Sequence, residues 1–274
     1  MSTPLLFAER NEHVDDPTRA LTTLPDVTLR ELDEAAALQH RRDHKYVLTP
    51  AQGAALTREL AGVGGRRVLE IDGRRTFRYE STYFDTDHLE LYRAAVQGRR
   101  QRAKVRIRRY VDTGSTFLEV KLRDKRGMQQ KHRMAIERPA LRLDVDMRRF
   151  VDSLVGPILG VGFAKTLRPT SITRYRRTTI LHDASATRAT FDTDLVCFDI
   201  RPREPGKSSP AMSLDAIILE SKSGSGNADL DRMLWGRGLR PVKISKYCTG
   251  LAALDPELPS NRWNRTLRDH FGAS

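Results

Sequence analysis

Apolar and charged residues alternate one for one through Lys104-Val-Arg106-Ile-Arg108 and again through Phe117-Leu-Glu119-Val-Lys121. Successive side chains of a strand point to opposite faces, so each segment aims its charges one way and its apolar residues the other. Glu220-Ser-Lys222 repeats the spacing late in the chain. The pattern predicts strands over 41–48, 77–84, 101–111, 116–123 and 129–138, and further ones near 171–182, 187–200 and 214–222. Asp112-Thr-Gly114-Ser115 and Lys125-Arg-Gly127 read as the turns between them. Thr49-Pro50-Ala-Gln52 is a capping box with proline in the first turn, opening a helix that runs to about Ala61 and stops at Gly62-Val-Gly64-Gly65. A helix over 146–155 takes Asp144 or Asp146 as its cap. Another starts at Asn227 or Asp229 and ends near Gly236 or Gly238, and Ser245 caps one over 246–254. Residues 260–271 suit an amphipathic helix with Trp263 and Leu267 on one side. Residues 1–27 hold Pro4, Pro17 and Pro25 without periodicity and are expected to be a loose segment.

Strands joined by short turns, with helices between groups, make an antiparallel α+β protein. A strand face of Arg, Lys and Glu cannot be an ordinary core. A closed barrel with a polar interior therefore fits better than a sandwich. Its interior would be a water-filled cationic cavity holding a polyanion, with carboxylates for a metal ion.

Composition narrows the partner. The chain has 274 residues and a net charge of +13, with a pI near 10.1. That balance implies nucleic acid, anionic lipid or a phosphate-rich small molecule. No apolar run approaches the roughly 20 residues of a membrane span. The first 25 residues carry Glu9, Glu12, Asp15 and Asp16, which argues against a signal peptide. Two cysteines, Cys197 and Cys248, build neither a disulfide framework nor a zinc site, so a cytoplasmic location is expected. Only 7% of residues are aromatic, with Tyr110 and Tyr175 among the few near the charges, which disfavours a base-stacking RNA platform. Gly206-Lys207-Ser208 has Arg201 where a P-loop needs its first glycine, and zinc-hydrolase and serine-hydrolase motifs are absent.

The ordered set Asp43-His-Lys45-Tyr46, Ser81-Thr-Tyr83-Phe84-Asp85-Thr86, Lys104-Val-Arg106-Ile-Arg108, Phe117-Leu-Glu119-Val-Lys121, Lys131-His-Arg133, Tyr175-Arg-Arg177, Arg188-Ala-Thr190-Phe-Asp192, Leu219-Glu220-Ser-Lys222 and Lys243-Ile-Ser245-Lys246-Tyr247 resembles the VTC domain. This is the polyphosphate polymerase domain of vacuolar transporter chaperone proteins, in the triphosphate tunnel metalloenzyme (CYTH) group. The likeness spans roughly residues 41–254, inside a domain taken as 28–256, with 257–274 a tail or short helix. It implies an eight-stranded antiparallel β-barrel tunnel with flanking helices. It also implies transfer of the ATP γ-phosphate onto a growing polyphosphate chain, with Mn²⁺ or Mg²⁺. The family's phosphate-binding positions fall on Lys45, Arg106, Arg108, Lys121, Lys131, Arg177, Arg188, Ser245 and Lys246. Its metal carboxylate falls on Glu220, and Lys243 is a further lining residue.

The residue chemistry agrees. Arginine forks grip phosphate oxygens bidentately, and lysines, including Lys104 and Lys222 on the same strand faces, add point charges. A metal bridging phosphates needs one or two protein carboxylates. Glu220 suits that, with Glu119 a second candidate. Where the tunnel group's hydrolases use Glu-x-Glu-x-Lys, this chain reads Arg41-Arg-Asp43-His-Lys45, which favours a polymerase. A tunnel triphosphatase and a non-catalytic polyphosphate- or RNA-binding module are the alternatives. The expected partners are ATP and polyphosphate, with no nucleic acid, no membrane span and no obligate protein partner.

Overall fold

The structure is a computed structural model that describes residues 16–37, 42–204, 209–223 and 229–271. Arg41, the Gly206-Lys207-Ser208 tripeptide and Asn227 lie outside the described residues. In chain order the elements are β1 (Asp26–Val27), α1 (Leu29–Ala37), β2 (Arg42–Leu48), α2 (Pro50–Gly62), β3 (Arg66–Leu69), β4 (Thr76–Asp85), α3 (Glu90–Val96), β5 (Arg102–Tyr110), β6 (Thr116–Arg123) and β7 (Gln129–Ile136). They continue with α4 (Val145–Leu159), β8 (Arg168–His182), β9 (Thr187–Asp199), β10 (Ala211–Leu214), β11 (Ile217–Ser223), α5 (Asp229–Gly236), α6 (Lys246–Leu254) and α7 (Asn264–His270).

The protein is α+β, and its strands form one eleven-stranded sheet. The β1–β3 ladder is short and parallel, whereas β2–β11, β11–β9, β10–β9, β3–β8, β4–β5, β5–β6 and β6–β7 pair antiparallel. Eight strands lie on the main path, as expected, while β1, β3 and β10 attach beside it. Among the described residues strand pairing does not close that path, whose ends are β2 and β7. β7 is built as an edge: Lys131 and Arg133 are exposed on it, and charge on an edge strand discourages further pairing.

The chain divides into two compact units, with β8 and β9 passing from one to the other along their length. The first comprises Met1–Phe77, Arg176–Asp194 and Asp215–Val242. Its strand order is β2-β11-β9-β8, with β3 on β8. Tyr46, Leu48, Phe191, Ile217 and Leu219 pack under Leu56 and Leu60 of α2 and Leu230 and Leu234 of α5. The predicted capping box opens α2: Thr49 Oγ1 accepts from Gln52 N, and Gln52 accepts from Thr49 N. Leu21 and Leu24 are buried in the same core, which corrects the expectation of a loose segment up to residue 27. Burying a leucine is worth about 1.5–3 kcal/mol, enough to hold a short segment that has no periodicity of its own.

The second unit comprises Arg78–Tyr175, Leu195–Leu214 and Lys243–Ser274. Here the order runs β8-β4-β5-β6-β7, with β10 on β9. Val105, Ile107, Leu118 and Val120 pack against Met147, Val151 and Val155 of α4, whose cap is Asp144, accepting from Met147 N at 2.8 Å. A second core joins Tyr83 to Tyr92 of α3, Tyr247 and Leu251 of α6, and Trp263 and Leu267 beside and within α7. Among the described residues no helix is long and apolar enough to cross a membrane.

Candidate functional site

In the second unit the ladders place the charges in rows across the sheet. Lys104 lies opposite Lys121, which lies opposite Lys131. The next row is Tyr83, Arg106, Glu119 and Arg133, and the one after it Ser81, Arg108, Phe117 and Ala135. Directly opposed residues share a face, so Lys104, Arg106, Arg108, Glu119, Lys121 and Lys131 lie together, while Val105, Ile107, Leu118 and Val120 serve the core.

Arg106 and Arg108 are each held from several sides. Arg106 donates from Nε to Glu119 Oε2 at 2.7 Å and from Nη1 to Tyr83 Oη at 3.4 Å. Arg108 donates to Ser81 Oγ at 3.3 Å and to Tyr175 Oη at 3.0 Å, and its guanidinium lies 5.5 Å from the centre of the Tyr79 ring. Both arginine side chains are 9% exposed, and the Glu119 side chain is fully buried. Lys131 Nζ completes the group, 2.7 Å from Glu119 Oε1. Burial pushes the Glu119 carboxyl up, but Arg106, Arg108 and Lys131 together hold it well below the usual carboxylate range. Such a geometry pre-sets the guanidiniums for a ligand at no further ordering cost.

The start of α6 adds two groups in the same unit. Ser245 Oγ accepts from Cys248 N at 3.2 Å, capping the helix, and from Lys104 Nζ at 2.8 Å. Lys246 Nζ lies 4.5 Å over the Tyr175 ring. The structure thus brings Lys104, Lys131, Ser245 and Lys246 to the Arg106–Arg108 surroundings. Lys243 contributes its carbonyl, which accepts from Thr266 Oγ1 at 3.3 Å.

In the first unit β11 carries Glu220 directly opposite Lys45 of β2, and Lys222 opposite Arg188 of β9. Glu220 Oε1 is 3.1 Å from Lys45 Nζ and 3.2 Å from Lys222 Nζ. Arg177 forks onto Asp192, from Nε to Oδ1 at 2.6 Å and from Nη2 to Oδ2 at 2.8 Å. The alternate residues face the core, where the buried Asp231 takes the Tyr46 hydroxyl at 2.7 Å and lies 3.1 Å from His44 Nδ1.

Among the described residues no three His, Cys, Asp or Glu side chains stand close enough to form an all-protein metal centre. A phosphate-bridging Mg²⁺ or Mn²⁺ does not require one, because phosphate and water fill most of its octahedron. Glu220 fits such an ion as a single carboxylate next to lysines. Glu119 fits less well: both glutamates are paired with cations, but the Glu119 side chain is fully buried whereas that of Glu220 reaches water.

Sequence reasoning gave no binding or catalytic role to Tyr79, Ser81, Tyr83 or Asp192, although the last three stand in the ordered set above. Tyr79, Ser81 and Tyr83 are spaced two apart on β4, the signal that picked out the cations, but their residue types carry no charge. Burial pushes the Tyr83 phenol up, while Arg106, Lys104 and Arg108 pull it down further, leaving it below its ordinary value of 10.0. Burial drives Tyr46, Tyr92 and Tyr247 the other way. Ultraviolet titration should therefore show an early tyrosinate signal that Tyr83→Phe removes. Retention of that signal in the variant would refute the assignment. A lowered phenol favours the folded state only at alkaline pH, and the gain disappears as pH falls through the folded value.

The profile of the family described as the VTC domain matches residues 40–255. No curated protein matches the chain. Among solved structures the chain is similar to a candidate adenylyl cyclase from Hippeastrum that is described as having a dominant triphosphatase activity. The identity is 16% and the TM-score 0.47, over 81% of this chain and 100% of that one. It is also similar to candidate adenylate cyclases from Bacillus halodurans (12% identity, TM-score 0.45, 76% of this chain and 94% of that one) and Vibrio parahaemolyticus (11%, 0.43, 78% and 98%).

Proposed function

The chain belongs to the VTC domain family, and we propose that it is a metal-dependent polyphosphate polymerase that transfers the γ-phosphate of ATP onto a growing polyphosphate chain. The observation that carries this reading is the rigid Arg106–Arg108 pair set among Lys104, Lys121, Lys131 and Lys246. That face holds far more positive charge than Glu119 can neutralise, as a polyanion site requires. RNA is disfavoured because the tyrosines nearest the cations are occupied by stacking on each other, Tyr79 on Tyr175 and Tyr83 on Tyr247.

Phosphoryl transfer asks little covalent work of a protein. An anionic terminal oxygen of the polyphosphate attacks the γ-phosphorus, and the bond to the β-bridging oxygen breaks. ADP departs with the electron pair, and no proton need move. The arginine forks hold the equatorial oxygens where charge spreads, and the lysines hold the chain in line with the leaving group. Lys45, Arg177, Arg188, Lys222, Lys243 and Ser245 are proposed as further phosphate contacts, and Glu220 as the metal-holding carboxylate. A bound divalent ion would neutralise charge on the phosphate oxygens.

Purified protein incubated with ATP and Mn²⁺ or Mg²⁺, with and without a short polyphosphate primer, should yield a ladder of lengthening chains on a gel. Orthophosphate without a ladder would replace the polymerase by a triphosphatase. Tight polyphosphate binding without turnover would leave a binding module.

A further inference from the structure

One buried carboxylate ends β4, caps α3 and tethers α6. Asp85 has no exposed surface. Its Oδ1 accepts from Thr86 N at 2.8 Å and Leu91 N at 2.9 Å, and its Oδ2 from Tyr92 N at 2.8 Å and Tyr247 Oη at 2.7 Å. The Tyr247 ring is fixed in turn. It stacks on Tyr83 with centroids 5.0 Å apart and meets Tyr92 edge-on at 6.3 Å.

Tyr247 directly follows Ser245, the cap of α6, and Lys246, its first residue, both of which touch groups around the cationic face. Lys104 donates to Ser245, Lys246 sits over Tyr175, and Tyr175 receives Arg108. The next turn of the helix is seated just as tightly. A Cβ on Gly250 would stand 2.6 Å from Cys197 Sγ, so only glycine lets α6 lie this close to β9. A helix held by a tyrosine hydroxyl and, one turn further on, by a glycine contact has little freedom to slide. A shift of about 1 Å in a phosphate-holding group is enough to cost about a hundredfold in rate.

We propose that Asp85 and Tyr247 are positioning residues that fix Ser245 and Lys246 for the terminal phosphates of a polyphosphate. This rests on the polymerase reading and extends it to residues that themselves touch no substrate. Tyr247→Phe removes one hydroxyl while leaving the ring stack and the three backbone donors of Asp85 in place.

The test is a double-mutant cycle between Tyr247→Phe and Lys246→Ala, with the affinity for inorganic tripolyphosphate measured calorimetrically at one fixed salt concentration. Tyr247→Phe is expected to weaken binding about tenfold in the wild-type background, the equivalent of one hydrogen bond to a charged group. In the Lys246→Ala background it should weaken binding clearly less, because only Ser245 is left for it to position. A merely structural role would lower the melting temperature equally in both backgrounds and leave the two binding losses additive, and that result would overturn the proposal. Should Tyr247→Phe not fold, Asp85→Asn takes its place: its amide oxygen still accepts from Thr86 N and Leu91 N, while its NH₂ can accept from neither Tyr92 N nor the Tyr247 hydroxyl, which loosens the anchor of α6. Failure of the wild-type protein to bind tripolyphosphate would instead remove the polymerase reading, and this inference with it.

Discussion

Glu119→Ala should cost about 3–5 kcal/mol of folding stability, the loss expected when one partner of a buried ion pair is removed. The reason is the company Glu119 keeps. Its fully buried carboxylate lies 2.5 Å from Arg106 Nη2 and 2.7 Å from Lys131 Nζ, with Arg108 Nε at 4.0 Å. Without it, the buried Arg106 guanidinium loses its counter-charge and keeps only the long hydrogen bond to Tyr83. The arginines would then swing toward water, so polyphosphate affinity should fall along with stability. Denaturant unfolding at neutral pH measures the first effect, and a loss under about 1 kcal/mol would refute it. The cations hold the Glu119 carboxyl below its ordinary value of 4.5. Its stabilising contribution is therefore complete above that value and is lost only as pH falls through the lower, folded-state value. The difference between wild type and variant should consequently be the same at neutral and mildly acidic pH. Combining Glu119→Leu with Arg106→Met should recover part of the stability, because apolar replacements of a buried pair are often neutral or stabilising. Polyphosphate binding should not recover.

Glu220→Ala should do the reverse, sparing the fold and abolishing turnover. Glu220 and its partners Lys45 and Lys222 have side chains 16%, 31% and 27% exposed. Ion pairs that water can reach contribute about 0–1 kcal/mol. The unfolding midpoint should therefore barely move. Activity should fall by about a thousandfold or more, since a metal ion at a phosphoryl group supplies several kcal/mol and each 1.36 kcal/mol is tenfold in rate. Turnover within about tenfold of wild type across Mn²⁺ and Mg²⁺ titrations would take the metal role away from Glu220. The two glutamates were equivalent candidates by residue type. Their surroundings separate them, one acting as a buried counter-charge and the other accessible to an ion.

Strand alternation is a local property with a period of two, so the charged faces of β5, β6 and β11 and the capping residues Thr49 and Ser245 were legible from residue order alone, while the cap of α4 was narrowed to Asp144 or Asp146. The antiparallel α+β class followed from the short turns between those strands. α3 was not legible. Asp85-Thr-Asp87 reads as a strand ending, and the cap on the helix is the Asp85 carboxylate reaching Leu91 and Tyr92 six and seven residues ahead. Leu21 and Leu24 gave no periodic signal because a core made by distant segments holds them. Which carboxylate meets which cation depends on ladder register and on side chains arriving from elsewhere. Arg106 finds Glu119 across a neighbouring strand, whereas Arg108 finds Tyr175 from residues far along the chain. Residue order thus determines which side chains share a face, because that is set by the geometry of each strand. Tertiary structure alone determines which of them are buried, paired and held still, because burial and pairing are properties of groups brought together from separate parts of the chain.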